Sequence, residues 1–167
     1  MKIVIVSGSG RPNSNSLALA TKISKHLVLL DIECDLVDLS EMTRLLHHYE
    51  THNDAVLNKQ KALLLEKLYS SDGIVIVAPE WGGMLPPVLH NFLLLSAYGF
   101  PLGHKPALVI GISTSGGGHN PVSLLKGYSA LQQAKNHIFA FRSWLTRASN
   151  LCKTARPNSK PAHSAFD

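Results

Sequence analysis

The feature that most constrains this chain is a short apolar run that leads into a loop of glycine and serine. Residues 1–7 have sheet-forming sequence, with an uninterrupted run of β-branched residues from Ile3 to Val6. Such a run is typical of a strand buried on both faces. Gly8 and Gly10 then allow a tight turn and a close approach of the backbone to a ligand. A helix is predicted from Leu17, and its candidate N-caps are Ser14, Asn15 and Ser16. A strand, a polar loop and a helix N-terminus together form a site suited to a phosphate group.

Residue identity excludes two familiar phosphate loops. A Walker-type loop requires Gly-Lys-Ser/Thr, and no lysine follows these glycines. The dinucleotide fingerprint requires a third glycine, but Asn13 stands at that position. What remains is a hydroxyl-rich loop with one cationic fork, Arg11, which suits a phosphate monoester such as that of FMN. The alternative is a plain strand-to-helix turn in which glycine and serine only redirect the chain.

Composition limits the partners of the chain. The 167 residues indicate one domain, and 45% of them are hydrophobic, which is enough for a sizeable core. The formal charge of +5 suits anionic ligands, but the basic residues are scattered, so we expect no nucleic-acid partner. No apolar run reaches membrane-spanning length and no secretory signal is evident, so we expect a cytoplasmic protein without a membrane partner.

Strands and helices alternate along the chain. The predicted later strands are Glu33–Leu39, Ile74–Ala78, Ala107–Ile112 and Asn136–Arg142. The predicted helices run from Leu17 to Leu29 or Leu30, from Asn53 or Asp54 to Tyr69, from the Pro86-Pro87 pair through Leu95, from an Asn120 cap through Leu131, and from Ser143 to about Lys153. This pattern indicates an α/β doubly wound parallel sheet of five strands in the order 2-1-3-4-5, with helices on both faces. We place one domain at residues 1–153 and a flexible polar tail at residues 154–167.

Three polar loops follow the first, third and fourth predicted strands. In such a sheet, ligands bind beyond the carboxyl ends of the strands, where the winding direction reverses, so these loops are expected to converge there. This convergence favours a flavin nucleotide site over a plain turn. The histidines at 47, 48 and 52 lie in a separate polar stretch without a convergent ligand set, and Cys34 and Cys152 are far apart, so we predict no metal.

The loop residues resemble the NADPH-dependent FMN reductase family, which has a flavodoxin-like fold. The resemblance lies in Gly8-Ser9-Gly10-Arg11-Pro12-Asn13-Ser14-Asn15-Ser16-Leu17-Ala18 and in Ala78-Pro79-Glu80-Trp81-Gly82-Gly83 with Pro86, Leu89 and Asn91. It implies bound FMN, NADPH or NADH as co-substrate, and a quinone, azo dye, metal oxyanion or free flavin as small-molecule acceptor. It also implies a homodimer or homotetramer.

By position, the resemblance implies a cofactor site built from all three loops. The phosphate would be held by Ser9, Arg11, Ser14, Asn15 and Ser16. The flavin ring and ribityl chain would be lined by Pro79, Glu80, Trp81, Gly82 and Gly83. The other side of the ring would be approached by Ser113, Ser115, Gly116 and Gly117. The chain departs from the family pattern at Trp81, where tyrosine is usual, and at Gly82, where asparagine is common.

The resemblance implies that flavin N5, and no side chain, carries the hydride. The hydride would pass from nicotinamide C4 to N5 and then to an acceptor in the same space, which implies ping-pong turnover. Backbone N–H groups of the third- and fourth-strand loops would stabilise negative charge near flavin N1. Two other functions remain open. One is a flavodoxin-like electron carrier, against which the basic charge argues; the other is a flavin-free interaction module of the same fold.

Overall fold

A computed structural model of the protein describes residues 1–47, 54–96, 99, 101–114, 117–127 and 138–142. The strands are β1 (Lys2–Ser7), β2 (Glu33–Asp38), β3 (Gly73–Pro79), β4 (Ala107–Ile112) and β5 (Ile138–Arg142). The helices are α1 (Asn15–Val28), α2 (Thr43–His47), α3 (Ala55–Ser70), α4 (Pro87–Leu95) and α5 (His119–Gly127), and a 3₁₀ turn covers Leu39–Met42.

The strands pair in parallel, in the order β2-β1-β3-β4-β5. In the centre, Val4 of β1 lies opposite Asp35 of β2 and Ile74 of β3. The predicted α/β fold and the order 2-1-3-4 are confirmed. At the edge, β5 pairs with β4 and begins at Ile138, two residues after the predicted start. Each parallel pair needs a crossover, and helices supply these crossovers.

Alternate residues of the central strands enter two separate apolar clusters, one on each face of the sheet. Val4 and Val6 of β1 join the larger cluster with side chains of α3, α4 and α5, including Leu64, Phe92 and Leu125. The smaller cluster packs β1 against α1; its members and neighbours include Ile5, Val77, Ile110, Ala20 and Ile23. Helices therefore cover both faces, as the continuous apolar strands predict.

Polar caps fix the starts of α1 and α3. Ser14 is the N-cap of α1, and its Oγ accepts a hydrogen bond from Leu17 N at 3.2 Å, so the helix begins at Asn15, two residues before the predicted start. Asp54 caps α3 through two bonds of 3.0 Å from backbone N–H groups. Both residues were among the predicted caps.

Two predicted segments differ from the structure. Asn120 is predicted to cap α5, but the helix begins at His119, so Asn120 lies inside it and its side chain is used elsewhere. The polar stretch between Leu39 and Asn53 is predicted to contain no helix or strand, but its first part forms a 3₁₀ turn and the short α2, because Leu45 enters the larger cluster.

Several predictions fall on residues that the structure does not describe. They concern the end of the helix through Leu131, the helix Ser143–Lys153, the tail at 154–167 and the histidines at 48 and 52. The domain division at residue 153 therefore stays a prediction. Within the described ranges, no helix combines the length and apolar character needed to cross a membrane, and no group of three or more His, Cys, Asp or Glu could hold a metal ion.

Candidate functional site

A cleft opens at the carboxyl ends of β1, β3 and β4, where the winding direction of the sheet reverses. Its volume is about 190 Å³. One water molecule needs only roughly 10–15 Å³, so the cleft has room for an organic ligand. The lining residues are Ser9, Arg11, Ser14, Asn15, Ser16, Ala18, Leu19, Lys22, Pro79, Glu80, Trp81, Ile112, Ser113 and Thr114.

Most of the predicted site residues meet in this cleft. They comprise all five residues predicted to hold a phosphate, the first three predicted to line the ring, and Ser113. Gly82 and Gly83 follow Trp81 in the chain but do not line the cleft, and neither does Gly117. Ser115 and Gly116 lie outside the residues that the structure describes.

The sequence interpretation missed the face of α1 that extends from the loop into the cleft. Ala18, Leu19 and Lys22 follow Asn15 at spacings of three, four and seven residues, which places them on one face of a helix. Lys22 has no role in the sequence analysis, yet it brings a second cation to the cleft that Arg11 also lines. The spacing from Asn15 was the available signal.

The first loop begins at a position that only glycine fits. The N–H of Gly8 donates to Val77 O at 2.9 Å, so the backbone stays against β3 beyond the end of β1. A Cβ on Gly8 would lie 2.8 Å from that same oxygen and 2.9 Å from Leu89 Cδ2. Because one of these neighbours is backbone, the loop has no room for a side chain here.

The serine hydroxyls of the first loop differ in their hydrogen bonding. Ser9 Oγ accepts from Arg11 N at 3.2 Å, and Ser14 Oγ accepts from Leu17 N at 3.2 Å. Ser16 is 1% exposed, and its Oγ has no hydrogen-bond partner among the described residues. A buried hydroxyl without a partner is unfavourable, so a ligand oxygen that accepts its proton would remove that cost. The unpaired N–H groups at the start of α1 offer further donors to an anion.

Arg11 and Trp81 join the first loop to the loop after β3. The guanidinium carbon of Arg11 lies 5.1 Å from the centroid of the Trp81 ring, within the range of a cation–π interaction. A guanidinium stacked by its face keeps its N–H donors at its edge. Arg11 is therefore able to stack on the indole and to bind an anion at the same time.

A two-residue β-turn carries Trp81 at the rim of the cleft. Trp81 N donates to Met84 O at 2.9 Å, and Met84 N donates back to Trp81 O at 3.0 Å. Between them, Gly82 and Gly83 have φ of +56° and +81°. A type I′ turn requires positive φ at both positions, and Asn-Gly and Gly-Gly both suit it. The departure from asparagine at Gly82 therefore preserves the backbone of the turn.

Glu80 ties the loop after β3 to its neighbours. Its N–H donates to Ile112 O, the end of β4, at 2.8 Å. Its Oε1 accepts from Asn120 Nδ2 of α5 at 2.9 Å. Its Oε2 is buried and has no hydrogen-bond partner in the described part of the chain. Among the described residues that line the cleft, Glu80 is the one acid, and Arg11 and Lys22 are cations. The charge of this lining suits an anionic ligand that also presents a hydrogen-bond donor.

Comparison with protein families adds the deciding observation. The sequence profile of the NADPH-dependent FMN reductases matches residues 1–144, most of the chain. The chain belongs to the NADPH-dependent FMN reductase family. FMN and NAD(P)H are the cofactor and co-substrate of this family of oxidoreductases, and the matched residues include every strand and every lining residue of the cleft.

A curated relative is the FMN-dependent NADPH-azoreductase of Staphylococcus aureus (strain USA300), which is 30% identical over 95 residues. These residues are 56% of this chain and 50% of the relative, so the chain spans about half the length of the curated relatives it matches. The apo form of an NADH:FMN oxidoreductase (EMOB) superposes with a TM-score of 0.62 at 19% identity, over 83% of this chain and 75% of that chain. An archaeal flavodoxin superposes with a TM-score of 0.55 at 13% identity, over 85% of each chain. At these identities the two structures show the fold alone, and they confirm that it is flavodoxin-like.

Proposed function

We propose that this chain binds FMN in the cleft and acts as an NAD(P)H-dependent oxidoreductase. The observation that carries the proposal is the buried Ser16 hydroxyl, which finds no protein partner within the described residues at the start of α1. It lines the cleft together with the other four residues of the predicted phosphate site. A phosphate monoester would supply acceptor oxygens to this hydroxyl, to backbone N–H groups at the start of α1 and to the Arg11 guanidinium.

The ring end of the cleft also fits a flavin. Pro79, Trp81 and Ile112 offer apolar surface, while Glu80 and Ser113 offer polar atoms. Family position adds Gly82, Gly83, Ser115, Gly116 and Gly117 to the proposed site. In this proposal, backbone N–H groups near these glycines bind the edge of the ring and stabilise negative charge there.

When bound, FMN would accept two electrons from NADH or NADPH and deliver them to a second substrate, a quinone, an azo compound, a metal oxyanion or a free flavin. The nicotinamide and the second substrate would use the space beside Trp81 in turn, which gives ping-pong turnover. No side chain of the cleft is required as an acid or base for the first half-reaction. The proposal includes an FMN-binding domain at residues 1–153, a homodimer or homotetramer, and a cytoplasmic location.

The test is a titration of the purified protein with FMN, followed by anaerobic addition of NADPH or NADH. We expect quenching of flavin fluorescence on binding and loss of the absorbance near roughly 450 nm after reduction. Tight binding without reduction by either nucleotide would favour the electron carrier. Absence of FMN binding would favour the flavin-free interaction module. Initial rates measured at several concentrations of both substrates give parallel double-reciprocal lines if turnover is ping-pong.

A further inference from the structure

The side chain of Glu80 is held at one oxygen and unpaired at the other. Asn120 Nδ2 donates to Oε1 at 2.9 Å, whereas Oε2 is buried without a partner in the described part of the chain. A carboxylate is an acceptor only, so Oε2 lacks a donor. Burial of an unpaired carboxylate oxygen is costly, and Glu80 lines the cleft, so the missing donor fits a ligand in the cleft.

Two contacts fix where this oxygen points. The backbone N–H of Glu80 is bonded to Ile112 O at 2.8 Å, which holds the main chain against β4. Asn120 holds the side chain from α5, and its Nδ2 lies 3.4 Å from the position that a Cβ would occupy on Gly83. Groups from two elements, β4 and α5, thus hold Glu80 before any ligand arrives.

We propose that Asn120 is a positioning residue that orients Glu80 to accept a hydrogen bond from the imide N–H of the flavin ring. This inference rests on the proposed function and names one contact within it. The oxidised isoalloxazine ring carries one N–H, at N3, and a carboxylate oxygen is a strong acceptor for it. The ribityl hydroxyls are the other donors of FMN, so the test separates the ring imide from the ribityl chain.

The experiment compares FMN with N3-methyl-FMN, which has no imide proton and keeps the ribityl chain. Binding is measured by quenching of flavin fluorescence. We expect the unmodified protein to prefer FMN by roughly tenfold or more, the effect of one hydrogen bond to a charged acceptor. Glu80→Ala should abolish this preference, and Asn120→Ala should reduce it. Glu66→Ala, on the exposed face of α3, is the matched control and should keep the full preference.

Glu80→Gln separates hydrogen bonding from steric exclusion of the methyl group. Glutamine has nearly the same size but no charge, so its bond to the imide is weaker and the preference should fall between those of the unmodified protein and Glu80→Ala. A full preference in Glu80→Gln would show that the methyl group is excluded by shape, and would overturn the inference. Equal binding of FMN and N3-methyl-FMN by the unmodified protein would overturn it as well, while leaving the proposed function intact. Failure of the unmodified protein to bind FMN at all would instead overturn the proposed function.

Thermal unfolding of each variant shows whether it is folded before its affinities are compared. If Glu80→Ala does not fold, Glu80→Gln and Asn120→Ala test the inference. Glu80→Gln conserves the side-chain volume, and Asn120 lies outside the lining of the cleft. An unchanged preference in Asn120→Ala would remove Asn120 from the positioning role.

Discussion

At the amino ends of the strands, polar side chains bond to other groups of the protein. At the carboxyl ends, several buried polar atoms have no hydrogen-bond partner among the described residues. Lys105, just before β4, donates to Leu68 O, to Tyr69 O at 3.0 Å and to Ser71 Oγ at 3.4 Å. At the start of β1, Lys2 Nζ lies 2.9 Å from Asp35 Oδ2 and forms an ion pair with it. At the cleft, by contrast, Ser16 Oγ and Glu80 Oε2 are buried without a partner among the described residues.

The bonded polar groups of the amino edge contribute to stability, whereas the unpartnered polar atoms of the carboxyl edge are suited to ligand binding. At the amino edge, Lys105 and the Ser71 hydroxyl donate to carbonyl groups at the end of α3, so these polar atoms are satisfied within the chain. At the carboxyl edge, Ser16 Oγ and Glu80 Oε2 have no such partner among the described residues, and two apolar clusters pack on the faces of the sheet. Polar groups left unpaired next to a cleft are what ligand binding requires, since a ligand then satisfies them.

The largest expected effect comes from adding a side chain to the first loop, at the carboxyl edge. Gly8→Ala would place a methyl group 2.8 Å from Val77 O and 2.9 Å from Leu89 Cδ2, so the first loop must move. We expect a loss of about 1–3 kcal/mol in the free energy of unfolding, together with loss of FMN binding. Urea unfolding and FMN titration measure the two.

Gly127→Ala is the matched control for this substitution. It makes the same chemical change in α5, where a Cβ would meet no described residue within 4 Å. Because alanine is the better helix former, we expect a gain of up to about 1 kcal/mol in the unfolding free energy. If Gly8→Ala proved as harmless as Gly127→Ala, the close packing of the loop against β3 would be wrong.

The next effect concerns the charge of the carboxyl edge. Arg11→Ala removes the cation that stacks on Trp81 and lines the cleft. We expect FMN affinity to fall by roughly tenfold or more, because a charged hydrogen bond to phosphate is lost. Riboflavin lacks the phosphate, so its affinity should change far less. An equal loss for FMN and riboflavin would show that Arg11 acts on the ring, through Trp81, and not on the phosphate.

Much of this architecture was predictable, because it depends on local patterns. The continuous apolar runs of β1, β3 and β4 predict buried parallel strands, and the polar residues that follow β1 give Ser14 as one of three candidate caps. Arg11 and Ser16 were predicted from residue type and their place after a strand. Each of these features is decided within a few residues of the chain.

The features that sequence reasoning missed depend on distant parts of the chain. Asn120 looks like a cap because a proline follows it, but the helix starts one residue earlier and the amide bonds to Glu80, forty residues before it. Lys22 has no role in the sequence analysis, because its place in the cleft depends on how α1 packs beside the loops. The burial of Leu45 makes a short helix of a stretch whose local composition is that of a loop. Tertiary packing decides all three.

The comparison of the two edges is sharpened by the same substitution on each. Ser16→Ala removes a buried hydroxyl that has no partner among the described residues, so we expect the ligand-free protein to be unchanged or more stable by up to about 1 kcal/mol. Its FMN affinity should fall by roughly fivefold or more. Ser71→Ala removes a hydroxyl that donates to Leu68 O at 2.8 Å, so stability should fall by about 1 kcal/mol while FMN affinity stays unchanged. Equal losses of stability in both variants would contradict the distinction between the edges.

The smallest expected effect is a difference in pH dependence between the two lysines of the amino edge. Hydrogen bonds to Asp35 and then Glu33 raise the pKa of Lys2 above its ordinary value of 10.5, so the stability it adds is present below that pH and is lost as pH rises through the higher pKa of the folded state. Burial lowers the pKa of Lys105, so the folded protein releases that proton first and the contribution of Lys105 to stability rises as the pH approaches 10.5. Urea unfolding at a series of alkaline pH values, with Lys2→Met and Lys105→Met as references, separates the two. The advantage of the unmodified protein over Lys2→Met should shrink with pH while its advantage over Lys105→Met grows. If both advantages changed in the same direction with pH, the pKa values of Lys2 and Lys105 would not be shifted in opposite directions by ion pairing and burial.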